Sequence, residues 1–277
     1  MANIWQVFVF SLIGGVLSLI GGVLLFSHKR LAHNLSTYAT PFAAGVLLGA
    51  AFFDLLPEAL EQESTTIVFS WTLAGLLFFF VLERFMHWFH HHEIASKKQG
   101  EHERPTGPLV IVSDTVHNSL DGVAIAAAFL VSVPTGIITS LAVAAHEVPQ
   151  EVGDFGLLLK LGYSRAKVLL INILSALSTT PVALIVFSFG SQEHFPLAQL
   201  LGLTAGLFIY IAASDLIPRI HKAAKPGFAL VESSLLVTGV LIIALATTLA
   251  HNYIDAGHPK TDVQHADHGH TEELEAE

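Results

Sequence analysis

At 277 residues, with a mean hydropathy of +0.61 and only 13% charged side chains, the chain is too apolar for an ordinary soluble domain. With 0 cysteines it has neither disulfides nor thiolate metal sites. The formal net charge of −10 comes with no nucleic-acid motif, phosphate-binding loop or nucleotide signature, so neither a nucleic-acid partner nor an ATP-driven pump is expected.

Helices of about 20 apolar residues cross a bilayer. Eight such spans are expected, at roughly 4–27, 38–60, 66–89, 108–131, 134–159, 167–190, 196–219 and 229–253. The chain therefore reads as an all-α polytopic membrane protein, a single transmembrane domain over 1–277. The first span is too long for a signal-peptide core and has no basic segment before it, "SHKR" coming after, so it is expected to remain as a membrane helix. Orientation follows from the basic residues. With the N-terminus outside, the cytoplasmic connections are "SHKRLAHN", "HHHEIASKKQGEHERPTG", "KLGYSRAK" and "PRIHKAAKPG". Together with adjoining span ends they hold 12 of the 13 lysines and arginines and leave only Lys260 outside. The positive-inside rule demands such a skew, and it places both termini outside.

The second span carries "AGVLLGAAFFDLLP" (44–57), which returns below. The third closes on "HWFHHHE", where His90, His91 and His92, with His102 beyond, make a histidine-rich cytoplasmic loop over 90–107. Short histidine tracts often hold metal; sensing or relaying of metal competes there with a merely solvated segment.

The fourth and fifth spans hold the chemistry. At about 100° per residue, Asp114, His117, Asn118 and Asp121 fall within roughly 100° of arc on the fourth helix. On the fifth, His146, Glu147, Gln150, Glu151 and Asp154 fall within roughly 140°. Each set is one polar stripe on an apolar helix. An aspartate at mid-membrane costs roughly 2.5–3.5 kcal/mol, and no intramembrane lysine or arginine stands ready to neutralise these acids. A divalent cation is the natural partner, and histidine with carboxylate suits zinc or iron better than magnesium. A lone intramembrane histidine or asparagine is often only an interhelical hydrogen bond. Two stripes, with His117/Asp121 and His146/Gln150 both at i, i+4, argue against that reading. Pro149 cannot donate to the carbonyl of Ala145, so a kink is expected among the ligands. The metalloprotease pattern H-E-x-x-H fails, because "HEVPQ" lacks the second histidine and has a proline in the turn.

The sixth span, "NILSALSTTP", offers Asn172, Ser175, Ser178, Thr179 and Thr180 but no acid. The seventh carries "AGLFIYIAASDLIP" (205–218), which matches the second in register from Gly45/Gly206 through Asp54/Asp215 to Pro57/Pro218. The two helices run in opposite directions by this topology, the pattern of an inverted repeat (3+2+3) around a midplane site. Asp54 then stands near the outer end of a metal pathway and Asp215 near the inner end, with Asp114 and Glu151 as further pathway candidates. Past the eighth span, an acidic tail over 254–277 carries His258, His265, His268 and His270 and reads as disordered and extracytoplasmic. The abundant phenylalanine, 19 residues, reads as lipid-facing bulk.

The chain closely resembles the ZIP (Zrt-, Irt-like protein) family of divalent metal transporters. The resemblance rests on "HNSLDG" and "HEVPQE", with "FAAGVLLGAAFFDLLPEA" and "TAGLFIYIAASDLIP" in support, and runs through all eight spans. It implies import of zinc, and in many relatives iron, manganese or cadmium, toward the cytosol. Carried across, it implies one metal position made by His117, Asp121, His146 and Gln150, and a neighbouring one using Asn118 and Glu147. Two departures stand out. Many relatives have histidine or glutamate where this chain has Gln150, and some supply an acid from the sixth helix. The expected partners are divalent ions and the lipid bilayer, with a homodimer as a further candidate and the plasma membrane as the location. Two other classes stay open at this point: a proton-coupled transporter of another solute, and an intramembrane hydrolase with metal-activated water.

Overall fold

The computed structural model describes residues 2–94, 107–190, 195–223 and 227–257. Among them there is helix and turn but no strand. The helices group into eight rods. The first is α1 (Ile4–Leu17) followed by α2 (Leu19–Ser27). The second is α3 (Lys29–Ala50), a π-helical segment (Ala51–Leu55) and α4 (Leu56–Gln62). Then come α5 (Thr65–Ile94), α6 (Gly107–Val131) and α7 (Val133–Lys160). The sixth rod is α8 (Arg165–Ala176) with α9 (Thr179–Phe189). The seventh is α10 (Leu197–Tyr210), a second π-helical segment (Ile211–Leu216) and α11 (Ile217–Ala223), and α12 (Ala229–Gly257) is the eighth.

Among the described residues, six rods are long and apolar enough to cross a membrane by length and composition: 4–27, 30–62, 65–85, 165–189, 197–222 and 229–250. The two that fall short, α6 and α7, are the ones with the polar stripes. Their own acids and histidines pull them below a hydropathy threshold that a membrane-buried site has no reason to respect.

Local chemistry sets the helix ends. Asn3 opens α1 in a capping box, accepting from the Trp5 amide at 2.6 Å while Gln6 accepts from the Asn3 amide at 2.8 Å. Ser132 caps α7 by accepting from the Thr135 amide at 3.2 Å. Gly162, at φ 89°, closes the turn after α7 where a side chain would be strained.

The rods pack through small residues. α3 lies on α12, α10 on α5, and α6 between α7 and α9. A methyl group at Gly45 would run into the Leu236 carbonyl, and one at Gly206 into the Thr72 carbonyl. From the other side, Gly239 faces the Phe42 carbonyl and Gly75 that of Leu203. The echoed segments are thus alike in structure as well as in sequence: both switch to π-helix just before their matched prolines, and both press a glycine against a partner backbone. The first and sixth rods also correspond, each breaking at mid-length, at Ser18 and at Leu177–Ser178. Their breaks touch, with Gly15 against the Ala176 carbonyl.

The reading of phenylalanine as lipid-facing bulk needs correction. Phe129, Phe155 and Phe208 are among the largest fully buried side chains, because a bundle sealed by glycine and alanine still needs volume between its rods.

Candidate metal centre

α6 and α7 pack against each other and bring their stripes face to face. Four side chains converge: His117 and Asp121 from α6, His146 and Glu147 from α7. One donor atom from each lies within 4.8 Å of all the others. The separations are 3.1 Å between the two histidine Nε2 atoms, and 3.3 Å from His117 Nε2 to Glu147 Oε1. His146 Nε2 lies 3.4 Å from Asp121 Oδ2, and the remaining histidine–carboxylate pairs stand at 3.8 Å. A tetrahedral zinc with bonds of about 2.0–2.1 Å holds neighbouring donors about 3.3 Å apart. Three of the six separations match that spacing, and the others would need to close by about half an ångström or more.

All four side chains are buried. Neither oxygen of Asp121 nor of Glu147 has a hydrogen-bond partner among the described residues. Buried carboxylates without donors are costly, and two of them beside two imidazole nitrogens fit a cation. His146 is aimed by its own helix: Nδ1 stands 3.1 Å from the Ala142 carbonyl and, donating there, leaves the Nε2 lone pair for a metal. His117 packs edge-on against Phe79, with centroids 5.7 Å apart, and His146 against Phe208 at 6.3 Å. These phenyl rings wall the site, a role that nothing in the sequence pattern distinguished from lipid contact.

The remaining candidates fall as follows. Asn118 is wholly buried; its amide donates to the Asp114 carbonyl and to Asp114 Oδ1, both at 3.1 Å, and its oxygen accepts from Thr179 at 3.2 Å. It therefore links α6 to the sixth rod. Ser175 and Ser178 reach Thr115 from the same rod. Gln150 is half-buried one turn along α7 from His146, and that helix runs unbroken through Pro149. Glu151 is wholly buried with both oxygens unpartnered, and it feels the charges of Asp114, Glu147 and Asp154. Asp54, in the first π-helical segment, is 1% exposed with Oδ2 unpartnered, close to the charge of Glu58. Asp215, in the second, is bound at 2.8 Å by Arg219. His90, His91 and His92 fall in the last turns of α5, with side chains outside the described residues. His102, most of the 90–107 loop and the tail histidines also lie outside them.

The family model for the ZIP zinc transporter matches residues 2–109 and 104–247, most of the chain. The chain belongs to the ZIP family. It is 33% identical over 222 residues to the zinc transporter ZIP13 of Pongo abelii, covering 74% of this chain and 64% of that protein. Over 118 residues it is 41% identical to the zinc transporter ZIP4 of Homo sapiens, covering 43% of this chain and 18% of that protein. It is 35% identical over 150 residues to the metal cation symporter ZIP14 of Xenopus tropicalis, covering 51% and 32%. The chain spans less than two thirds of the length of each of these relatives.

Proposed function

We propose that this ZIP protein carries divalent metal ions, zinc foremost, through the membrane to the cytoplasm by way of the site between α6 and α7. The observation that carries this reading is the His117–Asp121–His146–Glu147 cluster, whose donor spacing approaches that around a tetrahedral ion. The resemblance proposed Gln150 as the fourth donor. Glu147 lies within the cluster, and Gln150, one turn along the same face of α7, stays in the proposal as a further donor to the ion. Histidine–carboxylate sites also accept iron and manganese, and cadmium follows zinc; one relative's description as a metal cation symporter fits such breadth. The cluster closes four positions, whereas a hydrolytic zinc keeps one for water, so the hydrolase reading has no footing.

An eight-span inverted-repeat topology is part of the proposal. Across the α3–α12 contact residue numbers rise together, Gly45 meeting Leu236 and Gly49 meeting Ile243. The same holds for α5 and α10, where Val68 meets Gly202 and Thr72 meets Gly206. The second and eighth rods therefore run parallel, as do the third and seventh, which alternate crossings require. With the basic connections inside, both termini face outward; a multi-pass place in the plasma membrane is part of the proposal.

The test is uptake of radioactive zinc into proteoliposomes holding the wild type or His146→Ala. Wild-type flux lost in the variant, with equal membrane incorporation, is the expected result. Equal flux in both would remove the site.

A further inference from the structure

The two echoed segments differ at one position that matters. Four residues past each matched aspartate, the first repeat has Glu58 and the second has Arg219. The repeat thus places two acids together at one end of the bundle, where Asp54 and Glu58 are both buried. At the other end it places an ion pair, Arg219 Nε on Asp215 Oδ1 at 2.8 Å.

Arg219 is not confined to that pair. Its Nη1 lies 3.9 Å from where a Cβ would stand on Gly153, so the guanidinium rests against α7 at that point. Gly153 immediately precedes Asp154, and Arg219 and Asp154 feel each other's charge. Asp154 is the last acid of the α7 stripe that begins at Glu147 and passes through Glu151. Arg219 therefore reaches the foot of the acidic stripe from a neighbouring rod while paired to Asp215 one turn away on its own rod. Its side chain is about half exposed, which leaves the guanidinium free to shift between the two carboxylates.

Resting on the transport reading above, we propose that Arg219 is a tethered counter-cation at the cytoplasmic mouth, competing with the metal for the carboxylates of the α7 stripe and held partly off them by Asp215. A divalent ion coming down the stripe meets a fixed positive charge there. The stripe's last acid is shared with Arg219, so the ion leaves a site that no longer needs it for neutrality. The outer end, with Asp54 and Glu58, keeps its acids together for capture. The repeat supplies two like gates, and one substitution between them makes one attract cations and the other shed them. Arg219 is a positioning residue in this scheme, since it acts on the metal only through the acids it shares.

The experiment is a double-mutant cycle on the full chain, with zinc as the probe, in right-side-out and inside-out vesicles. Arg219→Gln should lower the apparent KM for zinc at the cytoplasmic face about two- to fivefold, as expected for an exposed charge, and leave the outer-face KM unchanged. Arg219→Lys, which keeps the charge, should stay near the wild type. Asp215→Asn should do the opposite of Arg219→Gln, raising the cytoplasmic KM by letting Arg219 lean wholly on the stripe. In the Arg219→Gln background, Asp215→Asn should then have little effect. If Asp215 were itself a ligand of the departing metal, its loss would act equally in both backgrounds, and that result overturns the proposal. Equal KM shifts at both faces, or a lysine variant that behaves like the glutamine one, overturn it too. Should Arg219→Gln fail to reach the membrane, Asp215→Asn and Arg219→Lys decide alone: an unchanged cytoplasmic KM in Asp215→Asn ends the idea. Absence of zinc flux in the wild type would instead refute transport itself.

Discussion

Asp121→Asn separates a metal ligand from a structural side chain by the sign of its effect. The Asp121 carboxylate is wholly buried, and neither oxygen has a hydrogen-bond partner among the described residues. Its donor oxygen lies within 4.8 Å of that of Glu147. Two unit charges at that separation repel by about 3 kcal/mol at an effective dielectric constant near 20. A proton on either histidine, 3.4 and 3.8 Å from Asp121, would attract it by about 4–5 kcal/mol on the same scale and reverse the sign, so the metal-free comparison is made at alkaline pH with both imidazoles neutral. Asparagine is nearly the same shape and carries no charge, so the metal-free variant should be more stable than the wild type, by about 1–3 kcal/mol. The metal-bound state shows the reverse. Zinc at about 100 times its Kd stabilises the wild type by about 2.7 kcal/mol, several degrees in Tm for a chain of this size. Losing one charged partner of a buried ionic cluster costs about 3–5 kcal/mol, more than 100-fold in affinity, so the same zinc concentration should scarcely shift the variant. Thermal unfolding in detergent, with chelator and then with zinc, reads both quantities. A metal-free variant that melts lower than the wild type and keeps its zinc shift would make Asp121 a structural partner of His146 and refute the reasoning.

Gln150→Glu adds a carboxylate one turn from the cluster and should lower the apparent KM for zinc about tenfold; an unchanged KM and metal ranking would take Gln150 out of the ion's path. Asp54→Asn should raise the outer-face KM about two- to fivefold at nearly constant maximal rate, since an acid at the mouth concentrates cations rather than turning the carrier over; concentration curves at matched expression check it, and a lowered maximal rate with normal KM would contradict it. Gly45→Ala should destabilise the folded protein by about 1–3 kcal/mol, because its methyl meets the Leu236 carbonyl and backbone yields poorly. A wild-type melting temperature in detergent would show that α3 and α12 do not approach so closely.

Much of the fold was legible because the bilayer imposes a simple rule: long apolar runs become helices, and basic residues mark one side. Each of the eight expected apolar runs falls on helix among the described residues, and six of them are long and apolar enough to cross a membrane. What the runs could not show is where rods break. Ser18 and Leu177–Ser178 look like ordinary apolar helix interior, and only their mutual contact through Gly15 explains the interruptions. The π-helical segments were hidden for the same reason, although the repeated "D-L-[LI]-P" ending marked the place. At the site, helical spacing put His117 with Asp121 and placed His146 on the facing stripe. It could not show that Glu147 lies beside both histidines, because that depends on how far α7 is rotated against α6. The pairing of Asp215 with Arg219 has the legible i, i+4 spacing, but Arg219 stands at the end of its span, where a basic residue reads as an interfacial cation. The aromatic wall of Phe79 and Phe208 left no signal, since a phenylalanine facing a metal site and one facing lipid obey the same hydropathy.

In the proposed site each helix would give the ion two donors, and that division would govern how the site lets go. His117 and Asp121 sit one turn apart on α6, so they move as a unit; His146 and Glu147 are neighbours on α7 and do the same. A small rotation or slide of one helix therefore breaks two metal bonds together. Metal affinity then depends steeply on the relative placement of α6 and α7, which is what a carrier needs, because a ligand biases a conformational equilibrium only by its difference in affinity between states. The packing permits such motion at α7 in particular. Pro149 leaves the Ala145 carbonyl without its helical partner, one residue before His146, and the acids that follow toward Asp154 offer the released ion successive oxygens in place of water. A site assembled from four separate helices would hold zinc as firmly but would have to rearrange four contacts independently to release it. Placing all four donors on two facing stripes makes binding and release the same motion run in opposite directions.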